Sequence, residues 1–189
     1  MTLRRGFRTE AERLAESLRA DLGLEPAAKL SIREAASAHG VRVVAADALV
    51  ERQELVELER VQAFAFSACT FDIAGRSVIV FNPLRTEARR RSDIAHEFSH
   101  LLLGHELTEI REVGGVPFRT CRPDQEEEAT NLGGTLLLPR PLLLRAVARG
   151  MTPDAIATEF RVTVEMARFR VNTTGVARQI ERARAQRAR

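Results

Sequence analysis

The stretch Ile94-Ala95-His96-Glu97-Phe98-Ser99-His100-Leu101-Leu102-Leu103-Gly104-His105 decides how the rest of the chain is read. It is apolar around the pattern HExxH, and it holds three of the four histidines of the sequence. On a helix, residues four apart lie one turn above each other on a single face, so His96 and His100 can share one divalent metal ion. Glu97 is turned about 100° away and can reach water at that ion, the position of a general base. Residue frequencies of a few per cent supply such a triplet by chance in about one chain in a hundred. The apolar flanks argue further against a solvated surface cluster. The pattern therefore points to Zn(2+), with His96 and His100 as ligands and Glu97 as the catalytic residue.

A catalytic zinc takes three protein ligands and keeps a fourth position open. The extended pattern with a third histidine requires Gly and His where this chain has Leu103 and Glu106, so His105 is not expected as a ligand. Glu106, Glu109 and Glu112 would need a sharp reversal of the chain to come back under the metal. The segment Glu126-Glu127-Glu128-Ala129-Thr130-Asn131-Leu132-Gly133-Gly134-Thr135-Leu136 reads as a second helix. Glu128, Leu132 and Leu136 repeat every four residues, which puts Glu128 on the inward face and makes it the expected third ligand. Glu126 and Glu127 read as acidic residues favoured by the helix dipole. Ala129 and Gly133 would allow the two helices to approach closely.

The remaining sequence sets the frame. A chain of 189 residues, 44% apolar and 29% charged, suits one soluble domain with a small appendage. Its 29 basic residues against 26 acidic are almost all arginine, Lys29 being the only lysine, and the positive charge gathers between Arg161 and Arg189. Cys69 and Cys121 are too few for a disulfide framework, no leader pattern precedes Thr9, and the apolar windows fall short of the ~20 residues a membrane helix needs. The expected location is the cytoplasm, with no membrane partner.

Periodicity predicts a helix from about Thr9 to Leu22, a second opened by Ser31 and Glu34, and a strand from Val41 to Ala45. Asp47 can cap a helix to about Glu59. A hairpin follows, Gln62 to Phe71 and Ser77 to Phe81, its second strand apolar on both faces. The helix carrying HExxH is predicted from Arg91 to Gly104, and the acidic helix from Asp124 to Leu138. The fold class is α+β, with a small antiparallel or mixed sheet, a unit over residues 1–140 that carries both motif helices and a helical subdomain over 141–189.

Together these residues resemble the ImmA/IrrE family of zinc metallopeptidases. The likeness rests on Ile94 to Leu102 with the trailing Gly104-His105, on Glu128-Ala129, and on Leu136-Leu137-Leu138-Pro139. Arg5-Gly6-Phe7, Ala11-Glu12-Arg13, Leu22-Gly23-Leu24 and the strand ending at Asn82 extend it over nearly the whole chain. Ser99 stands for the usual Gly, Thr130 for Asn or Asp, Leu132 for Phe and Leu138 for Met. The resemblance implies a zincin-like domain and a peptidase that cleaves a cytoplasmic helix-turn-helix repressor of the Xre type, inducing genes.

Near the C-terminus, Thr152-Pro153-Asp154 starts a short helix, Arg161-Val162-Thr163 is a turn, and Val164 to Asn172 forms another helix. The pair resembles a helix-turn-helix, or equally a subdomain packed on the core through Ala155, Ile156, Phe160, Val164 and Phe169. Sparse Asn, Gln and Lys put packing or protein recognition ahead of DNA binding. The alternative to a peptidase is a non-catalytic DNA-binding or repressor-binding regulator with a structural metal. Without a tyrosine in the chain, His105, Arg91 and Arg122 are the candidates for stabilising a developing oxyanion.

Overall fold

The computed structural model describes residues 3–63, 66–105, 109–113, 116–120 and 122–187. The elements run α1 (Phe7–Asp21), α2 (Ile32–Ala38), β1 (Arg42–Ala45), a 3-10 turn (Ala46–Ala48), α3 (Arg52–Val61), β2 (Ala68–Ile73), β3 (Arg76–Phe81), α4 (Glu87–Leu102), β4 (Glu109–Val113), β5 (Val116–Thr120), α5 (Pro123–Leu137), α6 (Arg140–Ala148), α7 (Pro153–Phe160), α8 (Val164–Thr174) and α9 (Val176–Arg187). This is the α+β class expected.

The sheet of three strands is mixed, in the order β1-β3-β2, with β1 parallel and β2 antiparallel to the central β3. Its central position explains why β3 is apolar on both faces: Ile79 and Phe81 belong to the main core with Ile94 and Phe98 of α4, while Val78 and Val80 pack with Leu55 of α3. The expected first hairpin strand begins late, at Ala68, because Gln62 already ends α3; Phe64 lies outside the described residues. The strand pair β4–β5 is a second hairpin. It occupies a stretch that the sequence reading left without structure.

Helix α4 starts a turn earlier than predicted. Thr86 caps it by accepting a hydrogen bond from the Arg89 amide at 3.3 Å, so the polar run before Asp93 joins the helix. Helix α5 lies across α4 at Gly133, where a Cβ would stand 3.1 Å from both the Ala95 carbonyl carbon and the His96 nitrogen. Glycine suits that approach, since any larger residue would press on backbone that must give by a few tenths of an ångström.

The far end of α5 is held by two buried arginines. Arg19 of α1 donates to the Leu136 carbonyl at 2.7 Å and also to Ala15 and Ala28 carbonyls. Arg170 of α8 donates to the Leu138 carbonyl at 3.1 Å and to Glu12 at 2.6 Å. Cations here satisfy carbonyls that the helix leaves unpaired and complement its negative end. Burial pushes the Arg19 guanidinium down to about 10, which still leaves it charged at neutral pH. A single buried cluster joins Phe7 and Ala11 of α1 to Ala167 and Val171 of α8, so the C-terminal helices share the core that seats α5.

Glu12 also accepts from the Arg140 amide at 3.0 Å, so its carboxylate ties α1, α6 and α8 together. Glu12→Ala strands the buried Arg170 without its counter-charge and should lower unfolding free energy by about 3 kcal/mol in urea titrations. The exposed neighbour Glu16→Ala should change it by less than about 0.5 kcal/mol.

Candidate metal centre

Helical spacing delivers what it promised for the histidines. His96 and His100 sit one turn apart on α4, with their Nε2 atoms 3.1 Å from each other. His96 Nε2 is also 3.1 Å from one oxygen of Glu126, and His100 Nε2 is 3.5 Å from the other. The donor atoms of these three residues lie within 4.8 Å of one another. Ligands on a tetrahedral zinc with bonds of ~2.0–2.1 Å stand ~3.3 Å apart, so the spacing fits one ion among them. Two ring nitrogens and a carboxylate are also the donor types that zinc takes. The two imidazoles hold the Glu126 carboxyl well below the usual carboxylate range.

The glutamate in this cluster is not the one the sequence points to. Glu128, expected as the third ligand, is not brought to the His96–His100 pair; its carboxylate accepts from Arg4 Nε at 2.7 Å and meets His105 Nε2 at 3.3 Å. The reason is helix phase. Leu132 and Leu136 mark the stripe of α5 that enters the general core, but the stripe facing α4 is marked by Gly133. Seven residues, two turns, separate Gly133 from Glu126, and Thr130 lies between them on the same stripe. Thr130 places its hydroxyl 3.4 Å from His96 Nδ1. The glycine was the signal that could have found Glu126.

Glu97 turns toward the sheet. Thr70 of β2 donates its hydroxyl to Glu97 Oε2 at 2.7 Å, fixing the carboxylate beside the histidines. The sequence offered no sign of this role for Thr70. Its neighbour Cys69 is a thiol rather than a thiolate at neutral pH, because burial and then the Glu97 charge push it up to about 11. A groove of about 460 Å³ opens at His96 and Glu97, with Ala68, Gly133, Gly134, Met166 and Phe169 along its apolar side. Arg89, paired with Asp93 at 2.9 Å, is its only lining arginine among the described residues. None of the three oxyanion candidates lines it. Arg91 donates to the Leu30 carbonyl, Arg122 pairs with Asp124, and His105 meets His100.

A model of the M78 peptidases, described as the IrrE N-terminal-like domain, matches residues 36–172. The match takes in β1 through most of α8, including both metal-facing helices, and leaves out α1 and α9. No curated protein sequence and no solved structure matches the chain. Among the described residues, no helix is long and apolar enough to cross a membrane.

Two outcomes follow from the helix phase. Glu126→Gln should weaken zinc binding by more than about a hundredfold in chelator competition, whereas Glu127→Gln, outside the cluster, should leave it within about twofold. Gly133→Ala must push α5 off α4, lowering stability by about 1–3 kcal/mol in denaturant titrations and weakening zinc uptake with it.

Proposed function

The chain belongs to the M78 peptidase family, and on that premise we propose that it is a zinc-dependent endopeptidase, with His96, His100 and Glu126 holding the metal. The single observation that carries the reading is the placement of Glu97. It lies next to the ligand pair, is oriented by Thr70, and faces an open groove. A structural metal would have no use for a carboxylate held in that way.

Zinc supplies a Lewis acid that polarises the peptide carbonyl and makes water a better nucleophile at neutral pH. Glu97 accepts the proton of the attacking water and returns it to the departing amine. The hydrogen bond from Thr70 occupies Oε2, which leaves Oε1 for that proton. Substrate would lie extended along β2, whose outer edge has no strand partner among the described residues, while the hairpin mate β3 is central and offers none. The apolar side of the groove would then receive a large apolar side chain next to the cleaved bond, with Met166 and Phe169 of α8 as one wall.

The substrate class follows from the family resemblance: a helix-turn-helix repressor of the Xre type in the cytoplasm, whose cleavage induces genes. The packing of α8 favours this over the DNA-binding alternative, since Arg170 is buried and Met166 and Phe169 are spent on the groove.

Incubating the zinc-loaded protein with repressors encoded beside its gene should yield two fragments each, read by mass spectrometry. Glu97→Gln should keep zinc and lower the cleavage rate by about 10²–10⁴-fold. If that variant retains full biological activity, the regulator reading replaces the peptidase.

A further inference from the structure

Beyond the three residues around the metal position runs a chain of contacts that leads from His100 to the N-terminal region. His100 Nδ1 is 3.0 Å from His105 Nδ1, His105 Nε2 is 3.3 Å from Glu128 Oε2, and Glu128 Oε1 accepts from Arg4 Nε at 2.7 Å. Arg4 in turn meets Glu10 at 2.7 Å. The local backbone explains how His105 gets there. Gly104 adopts a left-handed conformation, φ +61°, and the His105 amide donates back to the His100 carbonyl at 3.0 Å. That reversal at the end of α4 returns the His105 ring beneath His100.

Proton inventory gives this chain one direction. A guanidinium can only donate and a carboxylate can only accept, so the Arg4 end is fixed. The carboxylate of Glu128 then requires a proton on His105 Nε2. A neutral His105 is left with a lone pair on Nδ1, and the 3.0 Å contact between two ring nitrogens needs one donor and one acceptor. With its proton on Nδ1, His100 keeps an Nε2 lone pair, and the 3.1 Å contact between the two Nε2 atoms is then made by the His96 proton, which also serves Glu126. This is the form a metal ligand needs, and the Arg4 end favours it against the pull of the Glu126 carboxylate 3.5 Å from Nε2.

We propose that His105 and Glu128 are positioning residues, which hold His100 in its ligand tautomer and orientation through a directional hydrogen-bond chain anchored by Arg4. The proposal rests on the reading of His100 as a metal ligand. It gives Glu128 a role other than ligation, and it makes the two ligand histidines unequal. Among the described residues His96 has only the Thr130 hydroxyl at 3.4 Å behind it, and a hydroxyl that both donates and accepts imposes no direction. Partners behind a ligating histidine commonly change metal affinity by about 10–100-fold.

The test uses the full chain labelled with ¹⁵N-histidine, together with zinc titrations against a competing chelator. In the zinc-free wild type, two-bond ¹⁵N–¹H spectra should show His100 protonated on Nδ1 and His105 on Nε2. His105→Phe should weaken zinc binding by about 10–100-fold, and His105→Gln, whose amide oxygen can accept from His100, should recover part of the loss. Thr130→Ala should cost less than His105→Phe. Cobalt-substituted Glu128→Leu should keep the visible spectrum of wild type while binding more weakly, because no ligand is removed. His105 found protonated on Nδ1, or zinc affinity unchanged in His105→Phe, overturns the proposal. Wild type that takes up no zinc overturns the metal reading instead, and the spectra then still decide the tautomers. Those spectra need no variant, so a His105→Phe chain that fails to fold does not shelter the idea.

Discussion

The contact between α4 and α5 at Gly133 is the constraint on which the site depends. Two helices separated by ordinary side chains would leave Glu126 several ångströms from the histidines of the other helix. Here the backbone of α5 rests on the backbone at Ala95 and His96, and the carboxylate reaches both imidazoles without strain in its own helix. The grouping of His96, His100 and Glu126 is thus a product of helix spacing, to which Gly133 contributes by lacking a Cβ.

Such a contact must be loaded from both ends. At the start of α5 the Gln125 side chain accepts from the Arg122 amide at 3.0 Å, and Glu128 is tied to Arg4. At its finish, Arg19 and Arg170 reach the last carbonyls from α1 and α8. Two of these anchors, Arg4 and Arg19, lie before the stretch shared with the peptidase family. Helix α1 and the residue Arg4 before it therefore brace α5 from outside that stretch.

Much of this was legible in the sequence, and the rest was hidden for identifiable reasons. His96, Glu97 and His100 could be read because helix geometry alone brings them together. The strands were legible where alternation or a fully apolar run marked them, as in β3. Glu126 was not legible because Leu132 and Leu136 mark the core face of α5, whereas the stripe that meets α4 is marked by Gly133 and carries the exposed Thr130 and Glu126. Thr70 could not be found at all, since its role comes from a register between β2 and β3 that places it under α4. Arg19 and Arg170 looked like surface charge, because nothing local in α1 or α8 tells which arginine turns inward.

If the chain cuts a helix-turn-helix protein along β2, as proposed, that edge, unpaired among the described residues, has a consequence for the target. A strand edge pairs only with an extended backbone, and helix-turn-helix domains are made of helices whose amides are already bonded internally. A bond inside such a helix becomes available only when that segment opens. The opening free energy of the target then enters the rate directly, each 1.4 kcal/mol slowing cleavage about tenfold. Selectivity would be written as much in the local stability of the partner as in the residues around its scissile bond, and any event that loosens the partner's fold would act as a switch without touching the enzyme.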